Sequence, residues 1–139
     1  MSKFFIGVKA LIVHNGKVLL IKRSHKYENY DAHEFWDIPG GRLNFGEEPI
    51  EGLKREVYEE TGLEINSIRQ ILDASTIHKD DNEQIIRITY LCTVKNHQTK
   101  LSDEHTEFLW VEPEKIDFKL KDKLLNITIN KFITQSHFS

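Results

Sequence analysis

Glu56, Glu59 and Glu60 stand three and four residues apart, with Arg55 beside them and Glu47 upstream, in a chain of 139 residues. On a helix turning about 100° per residue those three glutamates share one stripe. Ile50, Leu53 and Val57 form an apolar stripe roughly 100° away, so one edge should pack and the next face out. Like charges held as helical neighbours cost roughly 0.2 to 0.5 kcal/mol per pair, so the arrangement asks for a compensating cation. A hard divalent ion such as Mg²⁺ meets that need, because it takes carboxylate oxygens and fills its remaining positions with water or substrate phosphates. Arg55, four residues before Glu59, is spaced to hold that carboxylate. Gly52, one turn before Glu56, is expected to leave room for a substrate.

A helix must carry these side chains, and its ends are legible. Pro49 suits the first turn, Glu47, Glu48 and Glu51 complement the positive end, and Gly62 suits the C-terminal cap, which predicts a helix over Pro49 to Thr61. Upstream, Phe35-Trp36-Asp37-Ile38 reads as a short extended piece stopped by Pro39-Gly40-Gly41, where a ligand could approach the backbone, and Arg42 to Gly46 as a loop. Phe4 to Val13 and Lys17 to Ile21 are rich in β-branched and aromatic residues around His14-Asn15-Gly16, the chemistry of a tight hairpin. Arg23 to Glu34 is polar and unperiodic, a surface loop. Ile65 to Ile77 and Gln84 to Val94 read as strands around the polar turn Lys79 to Glu83, and Glu107 to Val111 as another, ended by Pro113. From Lys121 to Gln135 the spacing of Leu124, Leu125, Ile129, Phe132 and Ile133 predicts a closing helix, while Ile127, Thr128 and Ile129 keep a strand open. Antiparallel strands with a helix inserted among them suggest a mixed sheet covered by helices.

Composition bounds the rest. With 39% hydrophobic and 29% charged residues the chain can bury a core, and its length suits one domain over residues 1–139. The net charge of −3 equals the excess within Gly41 to Leu63 alone, where six glutamates face Arg42, Lys54 and Arg55. Without a basic excess, duplex nucleic acid is not an expected partner. Cys92 is the only cysteine, which excludes an intrachain disulfide and a thiolate zinc site and fits a reducing cytoplasm. Lys9 and His14 interrupt the N-terminal apolar run far short of the roughly 18 residues that span a bilayer, so no membrane association is expected.

Read in order, Gly41, Glu47, Arg55-Glu56-Val57, Glu59-Glu60 and Gly62-Leu63 match all nine specified positions of the Nudix hydrolase signature, with chance odds on the order of 10⁻⁸. The surroundings also resemble the MutT-like branch: the N-terminal hairpin, Trp36 to Gly41 leading in, and the late strand Glu107 to Val111. The resemblance implies an α/β/α sandwich around a mixed β-sheet. It also implies hydrolysis of a nucleoside diphosphate linked to another group, with Mg²⁺ or Mn²⁺ required.

By motif position, the resemblance implies Glu56, Glu59 and Glu60 as metal ligands, Glu47 as a supporting or second-metal carboxylate, Arg55 as their orienting partner, and the Gly40 carbonyl as a further ligand. The general base is not tied to one motif position; Glu104, in the polar stretch before the Trp110 strand, is the candidate, and its neighbour His105 the weaker one. Phe35, Trp36 and Phe45 flank the glycine turn next to Gly41 and could stack on a base, although core packing is the commoner use of each. Trp110 reads as core. Arg23, Lys26 and Arg87 could clamp phosphates, against the ordinary reading of a solvated cation. Cys92 reads as a small buried hydrophobe.

The expected reaction is pyrophosphate hydrolysis, first of a nucleoside triphosphate, then of a dinucleotide or nucleotide sugar, by water attack at phosphorus. The alternative is a nucleotide sensor that binds without cleaving, which would be expected to lose signature carboxylates that this chain keeps. A prenyl diphosphate isomerase on the same fold would need a cysteine and acid pair beyond Cys92. The base, the sugar, the attacked phosphorus and a homodimer stay open.

Overall fold

The computed structural model describes residues 2–23, 36–100, 105–118 and 129–132. Strand β1 (Lys3–His14) is its axis: it pairs in parallel with β6 (Glu83–Val94) from Lys3↔Glu83 through Ile12↔Cys92. β1 turns into β2 (Lys17–Arg23) through Asn15 and Gly16, at φ 51° and 74°. Two consecutive left-handed residues are what a two-residue hairpin demands, and Asn-Gly supplies them with least strain. β2 is also paired antiparallel with β3 (Trp36–Asp37) and with β7 (His105–Val111). β5 (Ile65–Lys79) pairs antiparallel with β6, and the path through the sheet is β3-β2-β1-β6-β5. The parallel β1–β6 pairing makes the sheet mixed.

Alternation along the strands sorts two cores. Val8, Ala10 and Ile12 with Leu19 and Ile21 join Leu53, Val57, Leu63, Tyr90 and Cys92 on one face. Leu11, Val18 and Leu20 join Ile38, Leu72, Ile116 and Ile129 on the other. Helix α1 (Pro49–Thr61) covers the first face. A 3₁₀ helix, Pro113–Phe118, and the helical turn 129–132 contribute Ile116 and Ile129 to the second. This is the expected α/β/α sandwich. The rest of the predicted closing helix and the loop 24–34 lie outside the described residues. No helix among the described residues is long and apolar enough to cross a membrane.

One expectation is corrected at the glycine turn. Gly40–Arg42 is a strand, β4, antiparallel to β1 with Val8↔Gly41 and Lys9↔Gly40 paired. The short extended piece is interrupted by Pro39 and then resumes, because the edge of β1 offers the glycine backbone a ladder.

Candidate active site

Helix α1 is anchored by Leu53 and Val57, both fully buried, and ends where Gly62 takes φ 73° and donates its amide to the Tyr58 carbonyl at 2.9 Å. Ile50, expected in the packed stripe, is 36% exposed. Before the helix, Asn44 and Glu47 close a turn on each other: the Asn44 amide donates to Glu47 Oε1 at 2.9 Å and the Glu47 amide to the Asn44 carbonyl at 3.0 Å. That turn aims the Glu47 carboxylate back along the helix toward Arg55.

Arg55 is the hub. Its Nε and Nη2 donate to the two Glu47 oxygens at 2.7 and 3.0 Å, its Nη1 to Glu56 Oε1 at 3.0 Å and Glu59 Oε2 at 3.1 Å, and its Nη2 also to the Arg42 carbonyl at 3.3 Å. A planar fork is the one side chain that can hold three carboxylates in fixed directions. The hydrogen bonds from Arg55, then from the Asn44 amide, hold the Glu47 carboxyl down at about 2, and Glu47 in turn raises the Arg55 pKa.

Glu60 behaves differently from its stripe-mates. It is only 6% exposed, and its Oε1 accepts the Gly40 amide at 3.1 Å. The outward acidic stripe is therefore split: Glu59 faces solvent while Glu60 turns under β4. Burial pushes the Glu60 carboxyl up to about 8, helped by the nearby charges of Glu56 and Asp37 and opposed by Lys9 and the Gly40 amide.

Two glycines show how tightly the carboxylates are seated. A Cβ on Gly41 would stand 2.5 Å from Glu56 Oε2, so that carboxylate lies directly against the β4 backbone. A Cβ on Gly52 would collide with the Leu43 side chain and stand 2.9 Å from Glu47 Oε1. The space at Gly52 thus belongs to Leu43 and Glu47, which corrects the expectation of room for a substrate there.

The donor set is all oxygen, as a hard divalent ion requires. Glu56 and Glu59 each give one oxygen to the same Arg55 nitrogen, and the other oxygen of each lies outside that bond. The carboxylates are spread around the guanidinium and do not converge on one point. Among the described residues, the donor atoms already within 4.8 Å of one another are those of His78, Asp80 and Glu83, a group at the β5–β6 turn in which His78 Nε2 lies 3.1 Å from Asp80 Oδ2. An open depression of about 420 Å³ beside α1, lined by Lys54, Tyr58, Leu63, Glu64, Ile65 and Lys95, meets the carboxylates only through Arg55.

The other candidates divide. Trp36 packs half-buried on the second core with the Lys22 ammonium 5.9 Å from its ring centroid, and Trp110 packs on the first. Phe45 is fully exposed instead of packed, because the loop carries it away from the sheet. Arg87 is 3% exposed in the middle of β6, between Gly7 of β1 and Ser75 of β5, and is no solvated cation. Cys92 is fully buried, and burial pushes its thiol up to about 12. Lys26, Phe35 and Glu104 lie outside the described residues, as do the side chains of Arg23 and His105. Lys9 and Asp37 lie outside the motif: Lys9 Nζ donates to Asp37 Oδ2 at 2.9 Å and to the Ile38 carbonyl at 3.1 Å, beside the glycine strand. A lysine inside an otherwise apolar strand was the available signal.

The family model described as NUDIX domain matches residues 3–133. A "MutT-like protein" of Streptomyces ambofaciens is 25% identical over 118 residues, 84% of this chain and 70% of that protein. An "RNA pyrophosphohydrolase" of Bartonella quintana is 37% identical over 86 residues, 60% of this chain; the match spans 46% of that protein, less than half its length. The crystal structure of a MutT protein from Methanosarcina mazei superposes with a TM-score of 0.78 at 32% identity, covering 97% of this chain and 96% of that one.

Proposed function

Since the chain belongs to the NUDIX domain family and is a Nudix-type hydrolase, we propose that it splits the pyrophosphate bond of a small nucleotide by water attack at phosphorus. A nucleoside triphosphate is the first choice of substrate, and a dinucleotide or nucleotide sugar the next. The observation that carries the proposal is the Arg55 hub, which holds Glu47, Glu56 and Glu59 together beside the Gly40–Gly41 strand.

In this reading Glu56, Glu59, Glu60 and the Gly40 carbonyl would hold Mg²⁺ or Mn²⁺, and Glu47 supports them through Arg55. Such an ion would supply charge neutralisation at the leaving phosphate oxygen and lower the pKa of a water. Arg55 keeps the carboxylates in register before the ion arrives, and the bare Gly41 backbone leaves room for the Glu56 carboxylate against β4. Glu104 takes the proton from the attacking water. Phe45, exposed beside the site, offers its ring to the base, with Arg23 and Trp36 as further substrate contacts. The protein acts in the cytoplasm on small nucleotides, without duplex nucleic acid or membrane.

A nucleotide panel, incubated with and without Mg²⁺ or Mn²⁺ and read by mass identification of both fragments, tests the reading. Metal-dependent fragments from at least one nucleotide are expected. Tight binding with no fragment from any of them would turn the reading to a sensor.

A further inference from the structure

We infer that Lys9 is a positioning residue for the site: its ammonium clamps Asp37 and the Ile38 carbonyl and so fixes the approach of the Gly40 strand to Glu60. The inference rests on the proposed metal-dependent reading of the carboxylates. Lys9 sits on β1 directly across from Gly40, yet its side chain is only 19% exposed, an unusual place for a lysine in a strand whose neighbours are apolar. The amine finds its partners on the segment leading into β4. It donates to Asp37 Oδ2 at 2.9 Å and to the Ile38 carbonyl at 3.1 Å.

The same short segment is closed by two more bonds. Asp37 Oδ1 accepts the Ile38 amide at 2.7 Å, and the Ala10 amide donates to the Pro39 carbonyl at 2.8 Å. Residues 37 to 39 are thus pinned to β1 at both ends, and the next residue, Gly40, gives its amide to Glu60. Gly40 itself takes φ 147°, and a Cβ there would collide with the Val8 carbonyl and the Lys9 stem, so strand and lysine are fitted to one another. The Lys9 charge also favours the ionised form of buried Glu60, and the smaller effect of Asp37 opposes it. Groups that orient metal-holding side chains in this way typically change metal affinity or activity 10- to 100-fold when lost.

The test compares Lys9→Met, Lys9→Arg and Asp37→Asn with the wild type. Mn²⁺ affinity is measured by titration without nucleotide, thermal unfolding is followed without metal, and kcat and KM are read at saturating metal. Lys9→Met and Asp37→Asn are expected to weaken Mn²⁺ binding about tenfold or more and to lower kcat, with KM for nucleotide within about twofold of wild type. Lys9→Arg, which keeps the donors, is expected to restore most of the affinity. If Lys9→Met fails to fold, Asp37→Asn carries the same expectation. Unchanged Mn²⁺ affinity in a folded variant would overturn the inference, and so would tighter binding, which would make Lys9 merely a repelling charge. A wild type whose Mn²⁺ affinity depends on this clamp but which releases no product would overturn the proposed function and leave the clamp standing.

Discussion

Arg55 grips Glu47 through two hydrogen bonds, Nε to Oε2 at 2.7 Å and Nη2 to Oε1 at 3.0 Å, and spends its remaining nitrogen on Glu56 and Glu59. An ammonium is a point charge and cannot reproduce that fork. Arg55→Lys is therefore expected to lower kcat about 10- to 100-fold. Its Tm should change little, because these ion pairs are partly solvated. Steady-state kinetics beside thermal unfolding checks this, and wild-type turnover in Arg55→Lys would refute the orienting role.

Gly41 and Glu56 yield a second expectation. A methyl group at position 41 meets the Glu56 carboxylate, the free end of a flexible side chain, so Gly41→Ala should fold and yet displace a proposed ligand. Activity should fall by about tenfold or more while the unfolding midpoint holds. A loss of stability with kinetics intact in the folded fraction would contradict it.

Protonation of Glu60 predicts a pH dependence of the metal-free protein. Burial raises its carboxyl from 4.5 in the unfolded chain to about 8 in the fold, so between those values the folded state binds the extra proton. The stabilisation is fully present below 4.5 and is lost as pH rises through about 8. Metal-free Tm should thus fall over that window, and Glu60→Gln should flatten the slope. A divalent ion binds the carboxylate form, so the Tm gain on adding Mg²⁺ should be larger near pH 8.5 than near about pH 6. Thermal scans with and without Mg²⁺ measure both. A metal-free Tm that rises across the window would contradict the assignment.

Local chemistry made much of this legible. The helix Pro49–Thr61 follows from a proline at its start and a glycine past its end, and the β1–β2 hairpin from Asn15-Gly16, because those residues adopt backbone angles that others resist. What escaped depends on contacts distant in sequence. A helical wheel assigns Glu60 a direction but not a depth; its burial comes from β4, which is a strand only because β1 lies beside it. Gly52 looked empty until Leu43, nine residues earlier, filled it. Arg87 read as a surface cation because strand order, which places β6 against β1, is not written in its neighbours.

Packing under α1 yields a stability prediction independent of chemistry. Leu53 is fully buried in the core between helix and sheet, and Leu53→Ala removes its methyl groups from a close-packed site. Destabilisation of about 2 to 5 kcal/mol is expected by denaturant titration. A change below about 1 kcal/mol would mean that the helix is not docked through this residue.

Glu59 offers the cleanest test of the carboxylate site, because its side chain is 57% exposed and its replacement disturbs no core. Product release from the best nucleotide of the panel should be followed against Mg²⁺ concentration for the wild type and Glu59→Gln. The account predicts turnover in the wild type only when Mg²⁺ is present, and at least about a 100-fold loss in Glu59→Gln at an unchanged Tm. Undiminished Mg²⁺-dependent turnover in Glu59→Gln would contradict it.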